Sequence, residues 1–380
     1  MTVATSIPFV RAEGDSFRIG HQHGLARAGS LRAFIDDSIG RLNLVMQTPV
    51  SLDELAPALS DYAAAIAAAT PDLAEEIRGL AHGAGISWQH ALLLQLRREI
   101  MGYRKVPAIG GCTTYARAGG CATYARAGSE GTSVLAQTVD LNGNLDDQIA
   151  VLEIAPARSH RRTLVLSFAG LLGYLGLNSD GLAVGLNLVL GGEWRPGLPP
   201  YLAIRHLLDT AASVDQAVWI LGGLRLASSR SVTLCDQRKS AYVELLDDDM
   251  RVVEASQTAH TNHFLHPDFA RSDELNVFAR NSSLRRLSAC MTGLAALRPD
   301  AGVEDHFAIL SAPPICVPDE GDIRRERTVA GVVMLPSRGE MHVRPGDPSR
   351  TKTQVFALRP GTGSSSRSRR EIGATKGGLW

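Results

Sequence analysis

Over the first hundred residues, apolar positions recur every three or four residues, and the chain reads as helical to about residue 105. Ser51 followed by Glu54 forms a capping box ahead of an Ala-rich helix. Thr70 then Pro71 reads as an N-cap with proline at the first helical position, and Leu73, Ile77, Leu80 and Ala81 behind it share one face. Ser87 opens a third helix with Ala91, Leu92, Leu94 and Leu96 apolar and Arg97, Arg98 and Glu99 in its last turns. Further upstream, Ile19-Gly20-His21-Gln22-His23-Gly24 starts another helical stretch. Histidines two positions apart point to different sides of a helix, so this pair predicts a helix start and not a metal site.

From about residue 112 the period shortens to two. The stretches 133–139, 149–154, 163–168, 175–177 and 182–189 read as strands, with 178–181 (Asn-Ser-Asp-Gly) as the turn between the last two. Several are apolar on both alternating faces, the pattern of strands covered on both sides. Helices are predicted at about 201–210, 213–222 and 281–293, and strands at 231–236, 240–246, 251–254, 328–335 and 340–344. Asp247-Asp248-Asp249 reads as a hairpin turn. Strand blocks separated by helices predict an α+β fold of two stacked sheets with helices outside. The shift near residue 105 is the one boundary. It gives a helical N-terminal segment 1–111, or to 120, and a core 112–360; the basic low-complexity tail 361–380 has a composition that predicts disorder.

Composition narrows the function classes. Hydrophobic residues are 44% and charged ones 21% of the chain, enough for a packed core. A net charge of zero and 5% aromatic content argue against nucleic-acid or anionic-membrane partners. No apolar run is long enough to span a bilayer, and the N-terminus lacks the pattern of a signal peptide. The five cysteines, at 112, 121, 235, 290 and 316, are odd in number and lack zinc-type spacing, which points to a reducing cytoplasm. Gly191-Gly192 lacks the lysine of a phosphate loop. His260, His263 and His266 are spaced by three but read as strand end and loop, so no metal is expected.

Chemistry concentrates in one stretch. Gly110-Gly111-Cys112-Thr113-Thr114-Tyr115-Ala116-Arg117-Ala118 is followed at once by a near copy, residues 119–127, with Cys121 in place of Cys112. A thiol after Gly-Gly can attack its own preceding carbonyl, because glycine leaves that carbonyl open and tolerates the backbone required. Hydrolysis of the resulting thioester frees an α-amino group with a pKa of about 7.7–8.0, able to accept the thiol proton without a histidine.

The Gly111-Cys112-Thr113-Thr114 motif resembles the processing site of isopenicillin N acyltransferase-like proteins, which are autoproteolytic N-terminal-nucleophile (Ntn) hydrolases. Further matches run from Gly20-His21-Gln22-His23-Gly24 through Ala136-Gln137-Thr138-Val139-Asp140, the 176–187 stretch, Thr261-Asn262-His263-Phe264 and Asn281-Ser282-Ser283 to residues 343–348. The resemblance implies a four-layer αββα fold and a precursor cut into self-derived α and β chains, with a homo-oligomer left open. It also implies amide hydrolysis or acyl transfer on a small amide or amine substrate through a thioester. No cofactor is implied; an acyl-CoA enters only as a co-substrate by family analogy. Asp140 matches the acidic residue beside the nucleophile's amine, and Asn262 the oxyanion-hole asparagine. Ser228, Ser229, Ser283 and Arg285 are carried over as site-lining, substrate-binding positions. The family pattern has one Gly-Cys copy and this chain has two. Counted from Arg97, Cys112 fits. Counted to Gln137, Cys121 fits, because starting at Cys112 leaves a long loop inside a hairpin, which favours Cys121. Two alternatives stay beside this reading: an uncut member that binds an acylated ligand or a partner, and a Cys-His thiol hydrolase relying on His260 or His263.

Overall fold

The computed structural model describes residues 6–102, 111–117, 133–298 and 300–359. In chain order the upstream elements are β1 (Phe9–Gly14), α1 (Ser16–Asp36), the one-turn α2 (Leu42–Val45), α3 (Leu52–Ala69), α4 (Pro71–Ala84) and α5 (Trp88–Met101). Then follow β2 (Thr114–Arg117), β3 (Val134–Leu141), β4 (Ile149–Pro156), β5 (Thr163–Phe168), β6 (Leu175–Asn178) and β7 (Ala183–Leu188). Next come α6 (Pro200–Thr210), α7 (Val214–Gly222), β8 (Arg230–Cys235), β9 (Ser240–Leu246), β10 (Asp249–Ala255) and β11 (Gln257–His260). The chain continues with the one-turn α8 (Pro267–Ala270), α9 (Val277–Ala296), α10 (Val303–Ser311), β12 (Arg327–Leu335), β13 (Glu340–Pro345) and β14 (Gln354–Ala357).

The strands form an eight-stranded sheet, ordered β1-β4-β5-β6-β7-β8-β9-β10, and a six-stranded sheet, ordered β11-β2-β3-β12-β13-β14. Helices α1, α6 and α7 cover the first sheet, α9 and α10 cover the second, and β2 and β3 face β7 and β8 between them. The fold is therefore the four-layer α+β sandwich that the two strand blocks predict. Most of the central strands are buried along their whole length, as their two-sided apolar pattern requires.

Two contacts bring the sheets close enough to share a site. Gln137 on β3 crosses the interface, donating to Leu186 O at 2.8 Å and accepting from Leu186 N at 3.0 Å. Gly185 permits this approach, because a Cβ there would stand 2.7 Å from Gln137 Oε1.

The upstream segment is not a purely helical unit beside the core. β1 pairs in parallel with β4 and so belongs to the eight-stranded sheet. The Gly-His-Gln-His-Gly stretch lies in α1 and serves its packing on α4. A Cβ at Gly20 would come 1.9 Å from Glu76 O, and one at Gly79 would come 2.0 Å from Phe17 O. The Ser51 capping box forms as expected. Thr70, expected to cap α4, instead turns its hydroxyl back to Ile66 O at 3.2 Å and closes α3. Cys121 and the 361–380 tail lie outside the described residues.

Candidate active site

Cys112 sits just ahead of β2, which runs between β11 and β3. Thr113 fixes the approach: its N–H donates to Thr138 Oγ1 at 3.1 Å, and its carbonyl accepts from Thr138 N at 3.0 Å. Two residues on from Thr138, on the same face of β3, is Asp140. Its backbone N–H donates to Cys112 Sγ at 3.3 Å, and the thiol points at Asp140 O at 3.7 Å and Tyr174 OH at 3.6 Å. The Cys112 carbonyl is held by Asn187 Nδ2 at 2.8 Å, reaching across from β7, and by Arg286 Nη1 at 3.0 Å.

Asn262 follows β11 in a short loop beside Gly111. A Cβ on Gly111 would lie 2.2 Å from Asn262 Oδ1, so only glycine fits before the cysteine. The amide is oriented without ambiguity. Its oxygen accepts from Arg286 Nη2 at 2.9 Å, and a guanidinium can only donate, so Nδ2 is the atom facing Leu188 O at 2.9 Å. One Nδ2 hydrogen is used there, and the other has no partner among the described residues.

Burial and then the Asp140 charge push the Cys112 thiol up to about 12, against the Asp140 N–H and Tyr174 hydroxyl that favour a thiolate. The thiol is therefore neutral at neutral pH. Burial raises Asp140 to about 7, opposed by the Arg286 charge and by the Thr328 hydroxyl, which donates to Oδ1 at 2.7 Å. Asp140 Oδ2 is buried without a hydrogen-bond partner.

Cys112, Asp140, Asn262 and Gly111 line one pocket, with about 730 Å³ of empty space partly open to solvent. Leu94, Met101, Phe168, Leu171, Leu186 and Leu188 make much of its wall apolar. Arg97, Arg98 and Arg230 add cations, and Glu326 an acid.

The four positions expected to contact substrate are not among the lining residues. Ser283 is buried under the Asn262 loop, where its hydroxyl accepts from Asn262 N at 2.8 Å. Ser228 donates to Glu99 at 3.0 Å and Ser229 to Val189 O at 2.8 Å, both away from the pocket. Arg285 is exposed on α9, because one helical position turns it about 100° from its neighbour Arg286. His260 is held by Glu244 at 2.8 Å and Thr261 O at 2.8 Å, and His263 by Ser283 at 2.7 Å, so neither meets the thiol. Arg286, Tyr174, Asn187 and Thr328 are site residues that the sequence reading did not pick out.

Residues 126–348 match the family model described as acyl-coenzyme A:6-aminopenicillanic acid acyl-transferase, which is more than half of the chain. The chain belongs to this family. It is an enzyme of the acyl-transfer and amide-bond class, and the matched region takes in Asp140, Asn262 and Arg286 but begins after both Cys112 and Cys121. A curated relative, the 40 kDa form of acyl-coenzyme A:6-aminopenicillanic-acid-acyltransferase from Emericella nidulans, is 27% identical over 70% of this chain and 72% of its own. Among solved structures, penicillin V acylase from Agrobacterium tumefaciens aligns with a TM-score of 0.47 at 14% identity, covering 65% of this chain and 86% of that one. The Caenorhabditis elegans ortholog of N-acylethanolamine-hydrolyzing acid amidase aligns with a TM-score of 0.44 at 15% identity, covering 65% and 100%.

Proposed function

We propose that the chain cuts its own Gly111–Cys112 bond and then uses Cys112 as an N-terminal nucleophile to cleave or transfer the acyl group of a small N-acylated substrate. In the first step Sγ attacks the Gly111 carbonyl carbon, the C–N bond breaks, and the acyl group moves to sulfur. Water then hydrolyses that thioester, leaving a Gly111 carboxylate and a Cys112 α-amine. In turnover the thiol attacks the substrate amide while the α-amine takes the thiol proton. The oxyanion forms against the free Nδ2–H of Asn262, and the leaving amine departs with the proton. Water or a second amine then takes the acyl group from sulfur. An acyl-CoA fits the same scheme as donor, its thioester exchanging with Cys112.

The observation that carries this reading is the convergence of Cys112, the unpartnered Oδ2 of Asp140 and the Asn262 amide in one apolar pocket. A new ammonium at Cys112 would give Asp140 Oδ2 the partner it lacks, and would draw the Asp140 pKa down. The choice of Cys112 rests on its position in this pocket.

Intact-mass analysis of the purified chain under denaturing conditions tests the proposal. Two fragments are expected, with the junction before Cys112, and Cys112→Ala should leave one species of 40.6 kDa while Cys121→Ala still cuts. A junction before Cys121 moves the nucleophile to the second copy. An uncut wild-type chain would sink the processing mechanism and favour an acyl-ligand-binding protein.

A further inference from the structure

Glu244 lies on β9 of the eight-stranded sheet, is fully buried, and reaches across to the loop that carries Asn262. Its Oε1 accepts from His260 Nε2 at 2.8 Å and from Leu265 N at 2.5 Å, and its Oε2 accepts from His266 N at 3.0 Å. Burial pulls this carboxyl up, but the donors on it outweigh burial and hold it below its usual range, so Glu244 is an anion.

His260 ends β11 of the six-stranded sheet and is also fully buried. Its Nδ1 lies 2.8 Å from Thr261 O. A carbonyl oxygen can only accept, and so can an ionised carboxylate. Both ring nitrogens therefore carry hydrogen, and His260 presents the two donors of an imidazolium. An apolar pair of similar size would fill such a place at no greater cost. The polar pair does what an apolar one cannot, because it fixes backbone atoms on both sides of Asn262. Thr261 O stands just before it, and Leu265 N and His266 N follow just after.

We infer that Glu244 and His260 are positioning residues for Asn262, an ion pair between the sheets that clamps its loop so that the amide stands beside Cys112 where the oxyanion forms. The consequence for catalysis rests on the proposed role of Asn262; the clamp itself does not.

A double-mutant cycle on acylation of Cys112 tests this. The probe is p-nitrophenyl hexanoate, the signal is released nitrophenolate per processed chain, and Cys112→Ala is the blank. Glu244→Gln keeps the shape of the side chain and turns one acceptor into a donor. It should slow acylation about tenfold to a hundredfold with half-saturation unchanged. In an Asn262→Ala chain it should cost nothing further, because the two residues act as one unit. The same loss in both backgrounds, or no loss in either, overturns the inference and leaves Asn262 in its role. Where Glu244→Gln does not fold, His260→Gln breaks the pair from the other side and is held to the same outcome. If neither folds, the pair serves stability alone and the inference fails. Asn262→Ala acylating at the wild-type rate would remove the oxyanion reading instead, and a wild-type chain no better than the blank would remove the nucleophile reading. In those cases, and where a variant stays uncut, crystal structures of the Cys112→Ala chain with and without Glu244→Gln score the clamp. Asn262 Nδ2 should leave Leu188 O in the double variant, and an unmoved Asn262 overturns the inference.

Discussion

Gly111 leaves no room for a side chain, and its φ of +140° is one that L residues rarely adopt. Gly111→Ala should therefore displace Asn262 and stop self-cleavage; a variant that still cuts at the wild-type rate on a mass time course would remove Gly111 and Asn262 from that step. If Asn262 receives the oxyanion, Asn262→Ala should lower kcat about 10²–10³-fold, equivalent to about 2.7–4 kcal/mol, in steady-state assays of processed enzyme. Asp140 gives a pH signature. Its folded pKa of about 7 lies above the unfolded value of about 3.9, so the folded chain holds the proton more tightly. The associated stability is present in full below about pH 4 and is lost as pH rises toward about 7. In unprocessed Cys112→Ala chain, Asp140→Asn should gain on the order of 2–4 kcal/mol over wild-type Asp140 between pH 4 and 8, by denaturant titration. Parallel pH profiles for the two would contradict the buried carboxylate. Cys112, Asp140 and Asn262, which line one pocket, stood out in the sequence through motifs that resemble the family's, with Cys121 kept beside Cys112 as the candidate that hairpin length favoured. Arg286 did not: telling it from Arg285 requires the phase of α9 against the sheet, which one position changes by about 100°. Tyr174 and Asn187 reach Cys112 only because two sheets stack, and no local pattern encodes that.

At the scale of elements, α1 and α4 set the pocket wall at one remove, since α4 packs against α5, and α5 carries Leu94, Arg97 and Met101 into the pocket. Their backbones touch through glycine. Gly79→Ala would place a methyl 2.0 Å from Phe17 O, a backbone atom that moves only with its helix. Overpacking of this kind costs about 1–3 kcal/mol or more, so the melting temperature should fall, and processing should slow as α5 shifts. Unchanged melting with unchanged processing would separate the helix pair from the site. The central strands were legible from their buried, two-sided apolar runs. β1, β11 and β14 were not, being edge strands of four to six residues with mixed burial. Loop length had counted against a hairpin that starts at Cys112, yet β2 and β3 do pair, with Arg117 opposite Val134.

For the whole molecule, the proposed cut falls between parts that do not come apart. The upstream piece supplies β1, an edge strand of the eight-stranded sheet, in parallel register with β4 from Phe9↔Val151 to Gly14↔Pro156. Buried ion pairs cross the same junction: Glu76 of α4 holds Arg205 of α6 through two bonds of 2.8 Å, and Glu99 of α5 meets Arg230 of β8 at 3.2 Å. Separating either pair would leave a buried charge uncompensated, at about 3–5 kcal/mol each. Ile7 N adds a bond of 2.8 Å to Gln354 Oε1, at the far end of the core. The pocket needs both pieces, since Arg97 and Gly111 lie upstream of the cut and Asp140 and Asn262 downstream. Processed enzyme should thus elute from a native sizing column as one species, with both fragments in a constant ratio across the peak and separable only in denaturant. Activity should follow that peak. A large fragment that elutes alone and still turns over substrate would show that α5 and its arginines contribute nothing to the site.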